Sequence, residues 1–249
     1  MKAIFKRELK SFFLTGTGYV FLGVFMLLSG LVFFINNVLA RSSDPGGFFS
    51  MVSYIWMLLS PIPAMRLAGD RKQKTDQLLW TSPVSSSKVV LSKFLAALTV
   101  LLLALVLSLI YPALISVYGE VYLPEIIAGY LGLALHGTAF LAFDLMISSF
   151  AGTPASAYVL SLGANLLLWL SGLAVSSVKP ALIRNVFALI DIYNRFVPFS
   201  MGLWSKANTM YYLLFSTVCL VAAMRLAKGR RCNPLWKASR RTAESETAY

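Results

Sequence analysis

The residues in this chain whose types could do chemistry are few. One histidine, His136, and one aspartate, Asp144, stand eight positions apart inside an otherwise apolar stretch. On a helix that separation is a little over two turns, which puts both on one face about 12 Å apart. An intramembrane hydrolase needs a nucleophile and a base within hydrogen-bond reach, and this pair is too far apart for that. Two readings stay open for each residue: a pathway or gating group, or an interhelical hydrogen bond inside a packed bundle. A single histidine excludes a multi-histidine metal site. Cys219 and Cys232 lack the spacing of a metal or redox motif and read as structural thiols of a reducing compartment. The chain carries no GxxxxGK[ST], no glycine-rich strand-to-helix loop, no HExxH and no GxSxG. By these patterns it has no catalytic, cofactor-binding or metal residues of its own.

The elements that must position these groups are membrane helices. Of the 249 residues, 58% are hydrophobic and only 13% are charged. Soluble domains run at about 45–50% apolar and about 25% charged. A spanning helix needs about 20 mostly apolar residues. Six windows supply them: Gly18–Leu39, Phe48–Leu67, Ser92–Val117, Leu123–Phe150, Pro154–Val175 and Met210–Ala227. The fourth, with His136 and Asp144, is the least clean. The first is too long for the apolar region of a signal peptide. Backbone amides in hydrocarbon must be satisfied within their own segment, so the expected fold is an all-α integral membrane protein of six transmembrane helices. A transmembrane domain over 1–228 and a basic tail over 229–249 follow.

The net charge of +12 concerns topology and lipid head groups rather than nucleic acid, because the basic residues flank the apolar runs. Seventeen of the 22 Lys and Arg residues lie in the N-terminal segment, the connection after span 2 and the C-terminal tail. Those three regions share one side of a six-span chain, so the positive-inside rule puts both termini in the cytoplasm.

Two amphipathic stretches adjoin the spans. Phe5, Leu9, Phe12 and Phe13 share one face of an N-terminal helix, while Lys6, Arg7 and Lys10 point elsewhere. This predicts an interfacial helix whose basic side meets anionic lipid. Between spans 5 and 6, Leu182, Val186, Leu189, Ile190, Tyr193 and Val197 recur at helical spacing. They predict an outer amphipathic or re-entrant helix ended by Pro198, or else an ordinary packed loop. Pro61 and Pro63 should kink the cytoplasmic end of span 2, as part of a moving device or as static packing.

The connection after span 2 contains Arg71, Lys72, Lys74, Thr75, Asp76, Gln77, Leu78, Leu79, Trp80, Thr81, Ser82 and Pro83. Thr75 can cap a short helix and Pro83 ends it. Leu78, Leu79 and Trp80 place apolar surface amid charge. Such a patch marks a protein contact, or else it lies back on the membrane.

The motifs Lys6-Arg7-Glu8-Leu9-Lys10, Pro63-Ala64-Met65-Arg66 and Lys74-Thr75-Asp76-Gln77-Leu78-Leu79-Trp80-Thr81-Ser82-Pro83-Val84 together resemble ABC-2 type transporter permease subunits. They are most similar to the gliding-motility-associated branch, with nitrous-oxide-accessory permeases as relatives. Lys93-Phe94-Leu95-Ala96, Arg195-Phe196 and Tyr211-Tyr212 fit the same pattern, and the resemblance spans nearly the whole chain. The chain departs from the family at Gly69 and Asp70, where two acids are usual, and at Ser205 and Asn208. The resemblance implies a multi-pass permease in a bacterial inner or cytoplasmic membrane, without its own nucleotide site, and most often exporting. It implies two partners: a separate ABC ATPase subunit that binds ATP and Mg, and a second permease subunit, a copy or a paralogue. Arg71 to Pro83 would then be the coupling helix on the ATPase, with motion passing through the proline-kinked span 2 and the interfacial N-terminal helix, and the outer helix around Ile183–Val197 would line or gate the exit side. A non-transporting mechanotransmission subunit is the main competitor, disfavoured by the short outer connections. An intramembrane enzyme is the other.

Overall fold

The computed structural model describes residues 2–42, 44–65, 86–118, 122–177 and 191–231. The segment from Arg71 to Pro83, the stretch from Leu182 to Ile190 and the tail beyond Arg231 lie outside the described residues. Among the described residues there is helix and no strand. Six helices are long and apolar enough to cross a membrane: Thr17–Leu39, Gly46–Ala64, Ser87–Ser116, Leu123–Ser148, Pro154–Gly172 and Lys206–Lys228, here spans 1 to 6. Each agrees with its sequence window to within a few residues at either end.

Span 4 is the central post. It packs against spans 2, 3, 5 and 6 and against the short helix Val197–Ser200. Its buried set runs from Ala128 to Ser148 and includes three glycines, His136 and Asp144. Spans 1, 5 and 6 lie outside, with Leu27, Leu31, Ile35, Leu167, Leu213 and Val218 exposed on their outer faces. In water such faces would be a liability; in a bilayer they meet hydrocarbon. Span 4 looked unclean as a window because a helix surrounded by protein can carry small and polar residues that a lipid-facing helix cannot.

The N-terminal helix, Lys2–Leu14, turns into span 1 through Gly16 at φ 74. That left-handed conformation suits glycine. Phe12 is buried in the core, and Phe5, Leu9 and Phe13 pack against it, while Lys6, Arg7 and Lys10 are exposed. The apolar face of this helix therefore rests largely on the protein's own span 3. Glu8 is buried and stands 4.0 Å from the buried Lys93 ammonium of span 3, with the Arg7 guanidinium at 2.8 Å from its other oxygen.

The sequence predicts an unbroken third span, and here the structure differs. It consists of Ser86–Ser108 and Ile110–Tyr118, broken at Leu109. Pro112 is the cause: it has no N–H for the carbonyl of Ser108 four residues back. That carbonyl accepts instead from the Tyr130 hydroxyl of span 4 at 2.9 Å. Tyr130→Phe should thus lower stability by about 1 kcal/mol. Pro112→Ala should remove most of that loss by restoring a backbone donor, as equilibrium unfolding in detergent would reveal.

Of the connection before span 6, only its last part lies within the described residues. Residues 191–196 form turns rather than helix, and Pro198 sits in the first turn of Val197–Ser200. Proline is tolerated there because the first N–H groups of a helix have no internal acceptor. It opens this helix rather than ending a longer one.

Candidate functional site

Span 2 ends in a proline-broken turn. Its helix runs Gly46–Leu59, Ser60 is a turn residue, and Pro61–Ala64 forms one further turn with Pro61 and Pro63 buried. Pro61 cannot donate to the Met57 carbonyl, four residues back. A free carbonyl at this depth has no water to meet. The Asn165 side chain of span 5 supplies the missing donor: its Nδ2 reaches the Met57 oxygen at 3.1 Å and the Ser60 Oγ at 3.4 Å. Asn165 is fully buried.

Span 4 holds the same turn from the other side. The Ser60 hydroxyl donates to Asp144 Oδ2 at 2.5 Å, and the Ser148 hydroxyl donates to the Ala64 carbonyl at 3.0 Å. Ser161 of span 5 donates to the Asp144 backbone carbonyl at 3.4 Å. Asp144 itself is 0% exposed. Three spans therefore converge on one polar cluster at the break that precedes residues 66–85. Of the residues singled out from sequence, Pro61 and Asp144 are brought together here.

His136 lies two turns further along span 4, also 0% exposed, and it faces the same seam between spans 2 and 5. Its Nδ1 is 3.3 Å from the Tyr212 hydroxyl of span 6, and that hydroxyl donates to the Ile192 carbonyl at 2.7 Å. Tyr212 has one hydrogen and spends it on Ile192, so its oxygen is free to accept from an Nδ1–H of His136. Nε2 is left without a protein partner. The ring packs edge-on to Phe140 and tilted over Phe196. A cavity of about 10 Å³ lies beside it, lined by Ser53, Tyr54, Met57, Trp169 and Tyr193 among others. That is close to the smallest space that holds one water.

Beyond the cavity is an aromatic roof. Tyr193 stacks on Tyr54 at 4.4 Å, and Trp169 meets Tyr54 edge-on. Burial, followed by the neighbouring Tyr54 hydroxyl, pushes the Tyr193 hydroxyl up from its ordinary range, so it stays protonated. Arg195 lies 3.9 Å over the Tyr211 ring, a cation–π contact, and Asn208 donates to its carbonyl. Asp191 accepts from the Asn194 backbone and side chain. Contacts from two spans hold this roof to the transmembrane core: Tyr212, Asn208 and Tyr211 of span 6 to Ile192 and Arg195, and Tyr54 of span 2 in the aromatic stack.

The eight-residue spacing of His136 and Asp144 thus does place both on one face, in two separate clusters joined through Met57. Asn165, Ser60 and Ser148 were missed. Asn165 had a signal, a full amide in the middle of an apolar run, where polar side chains are rare and usually bonded across helices. Pro63 is buried at the break with no bond of its own to the cluster. Phe5, Leu9, Phe12 and Phe13 sit on the N-terminal helix away from this seam. Arg71, Lys72, Lys74, Thr75, Asp76, Gln77, Leu78, Leu79, Trp80, Thr81, Ser82 and Pro83 fall outside the described residues, just after the proline turn.

Such an arrangement suits a moving membrane part: it is a helix break whose freed backbone is held by side chains of two neighbouring spans. No curated protein matches the chain significantly. A family model described as "ABC-2 family transporter protein" matches residues 54–224, from the middle of span 2 almost to the end of span 6. That covers more than half of the chain and includes the hinge, the loop after it, the His136 seam and the aromatic roof. The chain is a multi-pass membrane protein of the ABC-2 transporter family, a permease component of the kind that typically works with an ABC ATPase.

Proposed function

We propose that this permease subunit belongs to the gliding-motility-associated and nitrous-oxide-accessory branch and works as an exporter in a bacterial inner membrane. Its six spans pair with those of a second permease subunit, a copy or a paralogue. A separate ATPase binds ATP and Mg and docks on the loop after span 2. The basic side of the bundle, with the N-terminal helix, that loop and the tail, faces the cytoplasm and anionic lipid. Leu78, Leu79 and Trp80 are the docking groups, with Arg71, Lys72, Lys74 and Asp76 as their charged rim. Residues 1–228 form the transport domain, and 229–249 is an appended tail.

The observation that carries this reading is the turn Pro61–Ala64. It leads directly into the loop and is bonded to spans 4 and 5 through Asp144, Ser148 and Asn165. A pull on the loop would therefore reach the bundle core through one short, defined contact set. His136 and the aromatic roof stand further along the same seam, where a change at the hinge would be felt.

The test is co-expression with an ABC ATPase subunit from the same organism. The wild-type permease should bring the ATPase down on purification. Leu79→Asp should abolish this by at least tenfold while leaving the permease monodisperse in detergent, since a charge replaces an apolar anchor at a docking surface. Loss of docking together with loss of ATP-driven export supports the exporter. Docking with ATP hydrolysis but no vesicle transport of any cargo would favour the mechanotransmission role. No association with the ATPase under any condition would overturn the docking assignment.

A further inference from the structure

We propose that the hinge of span 2 contains a bound proton, held by Asp144 on Oδ1 and donated to Asn165 Oδ1. The inference comes from counting hydrogens in the cluster. Ser60 has one, and it goes to Asp144 Oδ2. Asn165 Nδ2 has two, which go to the Met57 carbonyl and to Ser60 Oγ. Two buried acceptors remain with no donor, Asp144 Oδ1 and Asn165 Oδ1, and both residues bond the same Ser60 hydroxyl. Buried polar atoms are almost always paired. One hydrogen on Asp144 Oδ1 satisfies both at once, because a carboxylic acid both donates and accepts.

Turning the Asn165 amide over does not remove the shortfall. Its Nδ2 would then leave the Met57 carbonyl, which Pro61 has already deprived of a backbone donor. Nor does a cation supply the need. Among the described residues the ion pairs involve Glu8 with Arg7 and Lys93, and none reaches Asp144. Spans 2 and 5 present serine and asparagine to the carboxyl. The other titratable groups on its own helix are Glu125 in the first turn, Tyr130, bonded to Ser108, and His136, two turns away and bonded to Tyr212. An unpaired carboxylate fully enclosed by protein would be costly to keep ionised. The neutral acid avoids that cost and closes the hydrogen-bond network.

This inference needs no ATPase and no transported cargo, so it stands apart from the exporter reading. Infrared spectroscopy of the purified protein tests it. Wild type should show a carboxylic-acid carbonyl band that shifts in heavy water, and Asp144→Asn should lack it. Asn mimics the neutral acid, accepting from Ser60 and donating to Asn165, so this variant should unfold at the wild-type midpoint. Asp144→Ala should unfold at a clearly lower temperature. If wild type lacks the band, or if Asp144→Asn is as unstable as Asp144→Ala, the carboxyl is ionised and the proposal fails. Wild-type stability in Asp144→Asn together with the band in wild type sustains it.

Discussion

Asn165→Ala is expected to destabilise the protein by about 1–3 kcal/mol, and Pro61→Ala is expected to erase much of that loss. The free carbonyl of Met57 links the two residues. In the native chain Pro61 has no N–H, so the carbonyl depends on Asn165 Nδ2 at 3.1 Å. Removing the amide leaves a buried acceptor unpaired, and the cost is the desolvation of that group, about 1–3 kcal/mol. With Ala at position 61 the backbone supplies an N–H to the same carbonyl. Asn165 then keeps only its weaker contact with Ser60, at 3.4 Å. Interhelical hydrogen bonds in membranes average about 0.6 kcal/mol in double-mutant cycles, with about 1.7 as the largest seen. A coupling of about 1–2 kcal/mol between positions 61 and 165 therefore lies near the top of that range. The measurement is a four-variant cycle of equilibrium unfolding in mixed micelles. Equal losses from Asn165→Ala in both backgrounds would mean that Asn165 does not serve the carbonyl freed by Pro61. The same variants separate stability from motion. Pro61→Ala heals the break, so it should weaken ATP-driven function even where it stabilises the fold.

Much of the architecture was legible because a bilayer leaves few options. Runs of about 20 apolar residues can only be helices, and all six windows became spans. What periodicity could not provide was the depth of each span within the bundle. Spans 4 and 5 differ little in hydropathy, yet span 4 is largely enclosed and span 5 largely exposed. The difference lies in small residues: Gly129, Gly132 and Gly137 each meet a side chain of another element at closer than contact distance for a Cβ. The break in span 3 was also available, since Pro112 announces it, but the strength of the surrounding apolar run hid it. The polar cluster was half legible. Pro61 and Asp144 were recognisable one at a time, from a helix breaker and from an intramembrane acid. Their meeting depends on the packing of three spans separated by about 80 and 20 positions in sequence, which no local pattern encodes. The same holds for the Tyr212 hydroxyl, whose phenol reaches both His136 and Ile192. Tyr193 and Val197 fitted by spacing either an amphipathic helix or a packed loop, and residues 191–196 form turns held by side-chain bonds such as Asn194 to Asp191, which compete with helix formation.

Gly129→Ala should be the most damaging single-methyl change in the bundle, and Phe49→Leu should relieve it. A Cβ on Gly129 would fall within the ring of Phe49, overlapping three of its carbons. Phe49 is 0% exposed and is fixed by an edge-on contact with Tyr130 and another with Phe48. The ring therefore cannot swing aside without disturbing span 2, span 3 and the Tyr130 hydroxyl that serves Ser108. Overpacking a dense core by one methyl costs about 1–3 kcal/mol, and more where the neighbours cannot give. The upper part of that range, or outright loss of folded protein, is expected here. Gly132→Ala is a close second, with its Cβ 2.5 Å from that of Phe199. Gly163 on span 5 provides the internal comparison, since a Cβ there meets nothing within 4 Å and Gly163→Ala should be neutral or slightly stabilising. The double variant Gly129→Ala/Phe49→Leu removes the overlapping ring and should recover most of the lost stability, although Phe49→Leu alone is destabilising. Thermal unfolding of the four proteins in detergent decides it. Additive losses would mean that span 4 does not approach span 2 as closely as Phe49 and Gly129 require, and the seam that houses His136 and Asp144 would then have to be wider than described.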